Sequence, residues 1–251
     1  MEQQQPNKFL TWNKTSTTAR MIMIGFLSLV LMIPLLFIED LILERSLRHE
    51  KVVNEISKQW GKEVVIYGPI IKVPYKVFVE KVITDKKPKK VTKETIQHIK
   101  YSFFFPDKLD IKSTINPEQK KRGIYTTAVF NSNILINGTF NSLDFSQKEI
   151  KDKNILWDKS IVLLKTTNVK GVNSLLSIAL NGKKYELSSS STNSYNDDRY
   201  YTLESSIIPL KGKNKILKPL MFSLDFSIRG SKEIRFIPIG KETTAQINST
   251  W

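Results

Sequence analysis

The stretch IPLLFIEDLILERSLRHEKV, residues 33–52, runs from an unbroken apolar sequence into Glu39 and Asp40, then continues as a charged segment compatible with a helix. Three structures fit such a junction: a signal peptide to be removed, a buried core helix, or a membrane anchor whose helix carries on into water. Reading back toward the N-terminus separates them. Met21 to Ile38 is MIMIGFLSLVLMIPLLFI, eighteen residues without a charge and with Ser28 as the polar side chain. At 1.5 Å per residue it reaches roughly 27 Å, close to the bilayer hydrocarbon thickness of about 30 Å. A core helix of a soluble domain keeps a polar face, and this run has none. A signal peptide has a shorter apolar region of about 7–15 residues, closed by a small-residue cleavage site. Here the run ends Phe37-Ile38-Glu39-Asp40. The segment reads as an uncleaved transmembrane anchor, with Pro34 removing one backbone donor inside it.

Charge sets the expected orientation. Lys8, Lys14 and Arg20 against Glu2 give the first twenty residues +2 of the total +15. The positive-inside rule keeps that tail in the cytoplasm and places the remaining +13 outside it, which argues against cytoplasmic nucleic acid as a partner. The expected organisation is a cytoplasmic tail (1–20), a transmembrane helix (21–38), a stalk helix (39–61) and an extracytoplasmic β-rich domain (62–251). In the stalk, Leu43 and Leu47 are four apart, as are Val52, Ile56 and Trp60, so each set lines one side of a helix. Gly61 stands where a left-handed residue would end it.

Beyond Gly61, segments rich in Val, Ile, Tyr, Phe and Thr recur between turn residues, the pattern of strands. VVIYGPIIKVPYKVFV (64–79), interrupted by Gly68-Pro69 and Pro74, reads as two or three short strands. IQHIKYSFFF (96–105) stops at Pro106-Asp107, and KLDIKSTI (108–115) turns Leu109, Ile111 and Ile115 inward. GIYTTAVFNSNILINGTF (123–140) reads as two strands meeting around Asn131-Ser132-Asn133. Later strands are expected at 160–169, 183–189, 200–210, 219–230, 232–240 and 243–248, with a hairpin turn at Asn181-Gly182. Residues 171–180 fit a short helix or a strand, and 188–199 an exposed loop. The fold class is mainly β, a sandwich-like or β-rich mixed domain, after one transmembrane helix that continues as a stalk.

The residues offer little to catalysis. The chain has no cysteine, which excludes disulfides, thiolate metal sites and a cysteine nucleophile. Its two histidines, His49 and His98, have no partner at ligand or relay spacing. Asp197-Asp198 reads as a solvated loop, and no phosphate-cradling glycine loop is present. No catalytic, cofactor or metal residue is assigned, and the chain is not read as an enzyme. Basic charge is densest from Lys72 to Lys100, nine lysines against Glu80, Asp85 and Glu94. Its centre has no aromatic on which a base could stack, so a solvated loop tip is the plain reading. The alternative is contact with anionic lipid or an envelope protein through Lys86, Lys87, Lys89, Lys90 and Lys93.

Taken together, these stretches resemble the CreD family of bacterial inner-membrane, or cell-envelope integrity, proteins. The opening carries Ile33-Pro34, Glu44-Arg45 and Trp60-Gly61; GPIIKVPY (68–75) is similar to a family segment. Pro106, Arg122, Gly123, Ile124, Tyr125, Gly138 and Phe140 match a third pattern, and FSIRGSKEIRFIPIGKETTAQINSTW (226–251) a later block. These motif residues have structural explanations: backbone freedom at Gly123 and Gly138, strand breaks at Pro69 and Pro74, core packing for Trp60 and Tyr125. Family members continue past the position of Trp251 into further membrane spans, so the resemblance implies the N-terminal part of a longer protein or a shortened product. It also implies a non-enzymatic role in envelope integrity or envelope stress adaptation, in the inner membrane with the main domain periplasmic. The alternative is an extracytoplasmic ligand-binding or sensor module on one transmembrane helix. The anchor has a direct check: N-terminal mapping of the membrane-extracted protein should find residues 21–38 retained, and a mature N-terminus downstream of Ile38 would overturn it.

Overall fold

The computed structural model describes residues 17–84, 91–145, 150–172, 175–189, 200–210 and 219–250. The chain divides into two units, Met1–Asn54 and Glu55–Trp251. Helix α1 (Thr17–Trp60) is unbroken, includes Pro34, and is long and apolar enough to cross a membrane. Every side chain from Met21 to Ile38 is exposed within the protein, so this apolar surface needs a non-aqueous neighbour from elsewhere. Residues 39–51 of the helix are exposed too, with Arg48 paired to Glu44 at 2.6 Å one turn away. Leu43 and Leu47 are exposed, whereas Ile56 is buried.

The second unit begins with the end of α1. Gly61 takes φ +89°, and the amides of Gly61 and Lys62 both donate to the Ser57 carbonyl at 2.8 Å, closing the helix. Arg122 pairs with Glu55 at 2.6 Å. Trp60 is half-buried between two cations, Lys120 Nζ at 4.8 Å from the ring centroid and the Arg229 guanidinium at 5.6 Å. It caps this junction instead of joining the core expected of it. Its place follows from the amphipathic ring, which packs on cation stems more readily than in a wholly apolar interior.

Eleven strands follow among the described residues: β1 (Val64–Thr84), β2 (Val91–Phe104), β3 (Lys108–Arg122), β4 (Tyr125–Phe140), β5 (Ile161–Thr166), β6 (Ser177–Leu180), β7 (Lys183–Ser189), β8 (Tyr201–Ser205), β9 (Leu220–Gly230), β10 (Ile234–Phe236) and β11 (Glu242–Ser249). They are hydrogen-bonded in the order β10-β1-β5-β8-β7-β6-β9-β4-β3-β11, with β2 also on β1. β7 joins the two halves: residues 183–186 pair with β6 and residues 187–189 with β8. Ile71, Val73 and Val162 from one half share a single buried core with Ile111, Ile136, Phe222 and Leu224 from the other. β9 shows why the sequence folds this way, since Leu220, Phe222, Leu224, Phe226 and Ile228 alternate inward along it. Each such side chain contributes about 1.5–3 kcal/mol by leaving water. The expected mainly-β domain is observed, as a mixed sheet, because β10 runs parallel to β1 and β11 parallel to β3.

Two expectations about strand breaks are corrected. β1 is one 21-residue strand. Gly68-Pro69 is absorbed as an irregularity, with the β5 register shifting between Tyr67 and Ile70. Pro74 stays in the strand because its carbonyl accepts from Leu156 N, away from β2. A residue's N and O point to the same strand edge, so the missing N–H costs the β1–β2 ladder nothing. β4 is likewise one strand through Asn131-Ser132-Asn133. Their side chains are satisfied across strands: Asn131 donates to Glu118 (2.9 Å), Asn133 accepts from Ser227 (2.7 Å), and buried Ser132 pairs with Ser113 (2.8 Å). With those partners the triplet has no need to turn.

Other expectations hold. Leu109 and Ile111 are buried, and Ile115 packs half-buried on the core. Asn181-Gly182 turns the β6–β7 hairpin with φ +45° and +83°. Residues 171–180 resolve into a 3-10 turn at Val169–Gly171 and the strand β6, while 190–199 of the expected loop lie outside the described residues.

Asn168 ties the junction to the sheet. It is almost fully buried, donates from Nδ2 to the Arg229 carbonyl at 2.6 Å and accepts from the Gly171 amide at 2.9 Å. A Cβ at Gly61 would lie 1.8 Å from its Nδ2, so only glycine fits there. Asn168→Ala strands two buried backbone groups and should lower unfolding free energy by about 2–4 kcal/mol. Chemical denaturation of the detergent-solubilised chain, following loss of β signal, checks this.

Candidate functional site

The histidines are far from a catalytic arrangement. His49 is an exposed residue of α1, and His98 is exposed on β2, paired in register with Val77 of β1. Among the described residues no group of three His, Asp or Glu could hold a metal ion. Lys86, Lys87, Lys89 and Lys90, like Asp197 and Asp198, lie outside the described residues, and of Lys93 only the backbone, in β2, is described.

One concavity, of about 430 Å³, opens on the outward side of β11, β3, β4 and β9. Cross-strand register builds it from the rows Glu242–Lys108–Thr139–Met221 and Thr244–Asp110–Asn137. Gly138 forms part of its floor, since a Cβ there would lie 2.4 Å from the buried Phe222 ring. The polar groups are largely matched to one another. Lys108 faces Glu242 at 3.5 Å, and Thr244 donates to Asp110 at 2.6 Å. The lining sets one lysine, Lys108, against two carboxylates, Asp110 and Glu242, so its charge leans negative.

The β1–β2 hairpin presents a different surface. Register places Lys72 beside Phe103, Pro74 beside Tyr101, Lys76 beside Ile99 and Phe78 beside Gln97, all on one side of the pair. On the opposite side Val73 and Ser102 are buried. The first side leaves Phe78 51%, Ile99 51%, Tyr101 45% and Phe103 36% exposed, where one or two such residues would be ordinary. Lys72 Nζ lies 4.5 Å from the Tyr101 ring centroid and 3.4 Å from Glu204. Along its outer edge β2 has no pairing strand among the described residues. Reading the sequence for strands alone misses this face. The signal lay in IQHIKYSFFF, where Ile99, Tyr101 and Phe103 share one parity while Ser102 and Phe104 turn the other way. At a sheet edge the Ile99, Tyr101 and Phe103 side has no neighbouring layer to cover it, while Ser102 and Phe104 turn toward the core.

The corner after β2 carries the best-defined ionisable contact. Asp107 accepts from the Asn141 amide at 2.6 Å and from Lys241 at 2.5 Å, and its backbone carbonyl accepts from Glu242 N, starting β11. Burial pushes its carboxyl up, but the Lys241 and Asn141 hydrogen bonds and the Lys241 charge outweigh it and hold the group below its ordinary value of 3.8. A carboxylate depressed in the folded state stabilises fully above its unfolded pKa, and that contribution is lost as pH falls through the folded one. The acid limb of stability measured between about pH 5 and pH 2 should therefore be shallower in Asp107→Asn than in the parent chain. Identical limbs would show that the contact is not maintained in solution.

Comparison with known proteins agrees with the architecture. No solved structure matches the chain significantly. The Inner membrane protein CreD of Escherichia coli (strain K12) is 22% identical over 223 residues, covering 89% of this chain and 46% of that protein. The chain thus spans about half the length of this curated relative. The family profile described as Inner membrane protein CreD matches residues 16–251, from the start of the apolar helix through the last strand, and the chain belongs to that family.

Proposed function

We propose that the chain is a non-enzymatic inner-membrane protein that supports envelope integrity or envelope stress adaptation. Its N-terminus lies in the cytoplasm and its β-rich domain outside. The observation that carries this reading is an eighteen-residue apolar stretch, wholly exposed within the protein, at the head of a β-rich domain. The CreD likeness supports the membrane, and the tail charge of Lys8, Lys14 and Arg20 supports the orientation. The domain acts by contact with an envelope component, either a protein or anionic lipid, and Lys86, Lys87, Lys89, Lys90 and Lys93 supply a basic tip for it. A sensor module would be favoured by a basic, aromatic-lined cavity. The concavity over β3 and β4 is open and sets one lysine against two carboxylates, the reverse of a basic cavity, so it lends that alternative no support.

Because the chain has no cysteine, single cysteines report orientation cleanly. In intact spheroplasts an impermeant maleimide should label Met221→Cys at once and Thr15→Cys after permeabilisation. The reverse order would overturn the orientation. Deleting the chain should sensitise cells to detergent and osmotic shock, with resistance restored by the anchored chain. Unchanged resistance would overturn the envelope role.

A further inference from the structure

The aromatic side of the β1–β2 hairpin has a chemistry that selects its occupant. Phe78, Ile99, Tyr101 and Phe103 are exposed together, and Phe105 just beyond β2 is 46% exposed. The same side holds Lys76 and Glu80, and Lys72 paired with Glu204, while Lys81 and Lys100 sit exposed on the other side of the two strands. We propose that this face is a docking surface for an anionic lipid bilayer, with the aromatic and aliphatic side chains entering the headgroup region and the lysines pairing with lipid phosphates. The inference rests on the membrane-anchored reading above and names the partner.

Three observations favour lipid over other occupants. Aromatic rings mixed with lysines are the composition that settles at a membrane interface, where ring bodies leave water and ammonium groups stay at the phosphates. The charge of the hairpin is complementary to anionic lipid: its lysines outnumber Glu80 and Glu94, and the sequence between the two strands adds four more against Asp85. A second copy would bring the same positive charge onto this one, which disfavours pairing of two such faces. Finally, α1 holds the domain at a membrane, so lipid is present at high effective concentration and a weak surface suffices.

The test uses nitroxide labels on the full chain, carrying Phe78→Cys, Ile99→Cys or, as reference, Met221→Cys, which is 61% exposed in the other half of the sheet. Each is reconstituted in detergent, in phosphatidylcholine vesicles and in vesicles with phosphatidylglycerol added. Collision with a water-soluble nickel complex should fall several-fold at positions 78 and 99 when anionic lipid is present, while collision with oxygen rises. High salt should reverse part of that change, and position 221 should stay open to nickel throughout. Labels at 78 and 99 as open as 221 in anionic vesicles would overturn the proposal. So would equal protection in zwitterionic vesicles, which removes the anionic requirement. Protection already present in detergent would assign the face to protein instead. The maleimide experiment reads anchor and orientation independently, so either conclusion can fail without the other.

Discussion

Asn168 pressed against Gly61 is the contact on which the arrangement of the domain depends. Three separated pieces of chain meet there: the last turn of α1, the segment after β5, and the carbonyl of Arg229 near the end of β9. If the asparagine moved, the Gly171 amide and the Arg229 carbonyl would lose their partner, and the close packing against Gly61 would be lost. The consequence is directional. Because Gly61 can approach so closely, β1 starts within a few residues of the helix, and its first residues pair at once with β5 and β10. Thr167 reinforces the entry by donating to the Glu63 carbonyl and accepting from the Val65 amide. The exit from the helix and the first edge of the sheet are thereby fixed by the same few atoms.

From that start the sheet is built around β1 on one side and β4 on the other, with β7 shared between them. A strand common to both halves makes their separation costly, because the two layers cannot part without breaking its ladder. Within the core the hydroxyls of buried Ser113 and Ser132 satisfy one another across β3 and β4. The corner at Pro106-Asp107 then leads from β2 into β3, and Lys241 closes over it. The outward side of the β1–β2 hairpin, with Phe78, Ile99, Tyr101 and Phe103 exposed, is a surface that packing does not explain.

Much of this was legible in the residues. The anchor follows from length and absence of charge, and the end of the helix from Trp60-Gly61. Strand identity and inward positions in β3 follow from alternation at Leu109 and Ile111. What misled was local punctuation. Pro74 and Asn131-Ser132-Asn133 are turn formers by themselves, but their cost in a strand depends on which edge the missing donor faces and on what stands across the ladder. Those are properties of the partner strands, not of the segment. The exposed aromatic side of β2 was hidden for a related reason: hydrophobicity marks a strand as buried without saying on how many sides a neighbour will arrive. Long-range pairing of β10 with β1 carries no local signal at all.

That last pairing has a consequence in time. Lys62, at the head of β1, accepts hydrogen bonds from Ser231, which is 169 residues later in the chain. β1 therefore emerges early in synthesis, yet the parallel partner at its head arrives only after eight other strands. Until then Val64 and Ile66 lack their backbone partners on that side, and β3 likewise waits for β11. Closing loops of this length is slow, because ordering of the chain precedes the contacts that reward it. A domain assembled in this order spends its early life with long unpaired edges, and tethering by α1 keeps neighbouring copies from diffusing freely into those edges while the last strands arrive.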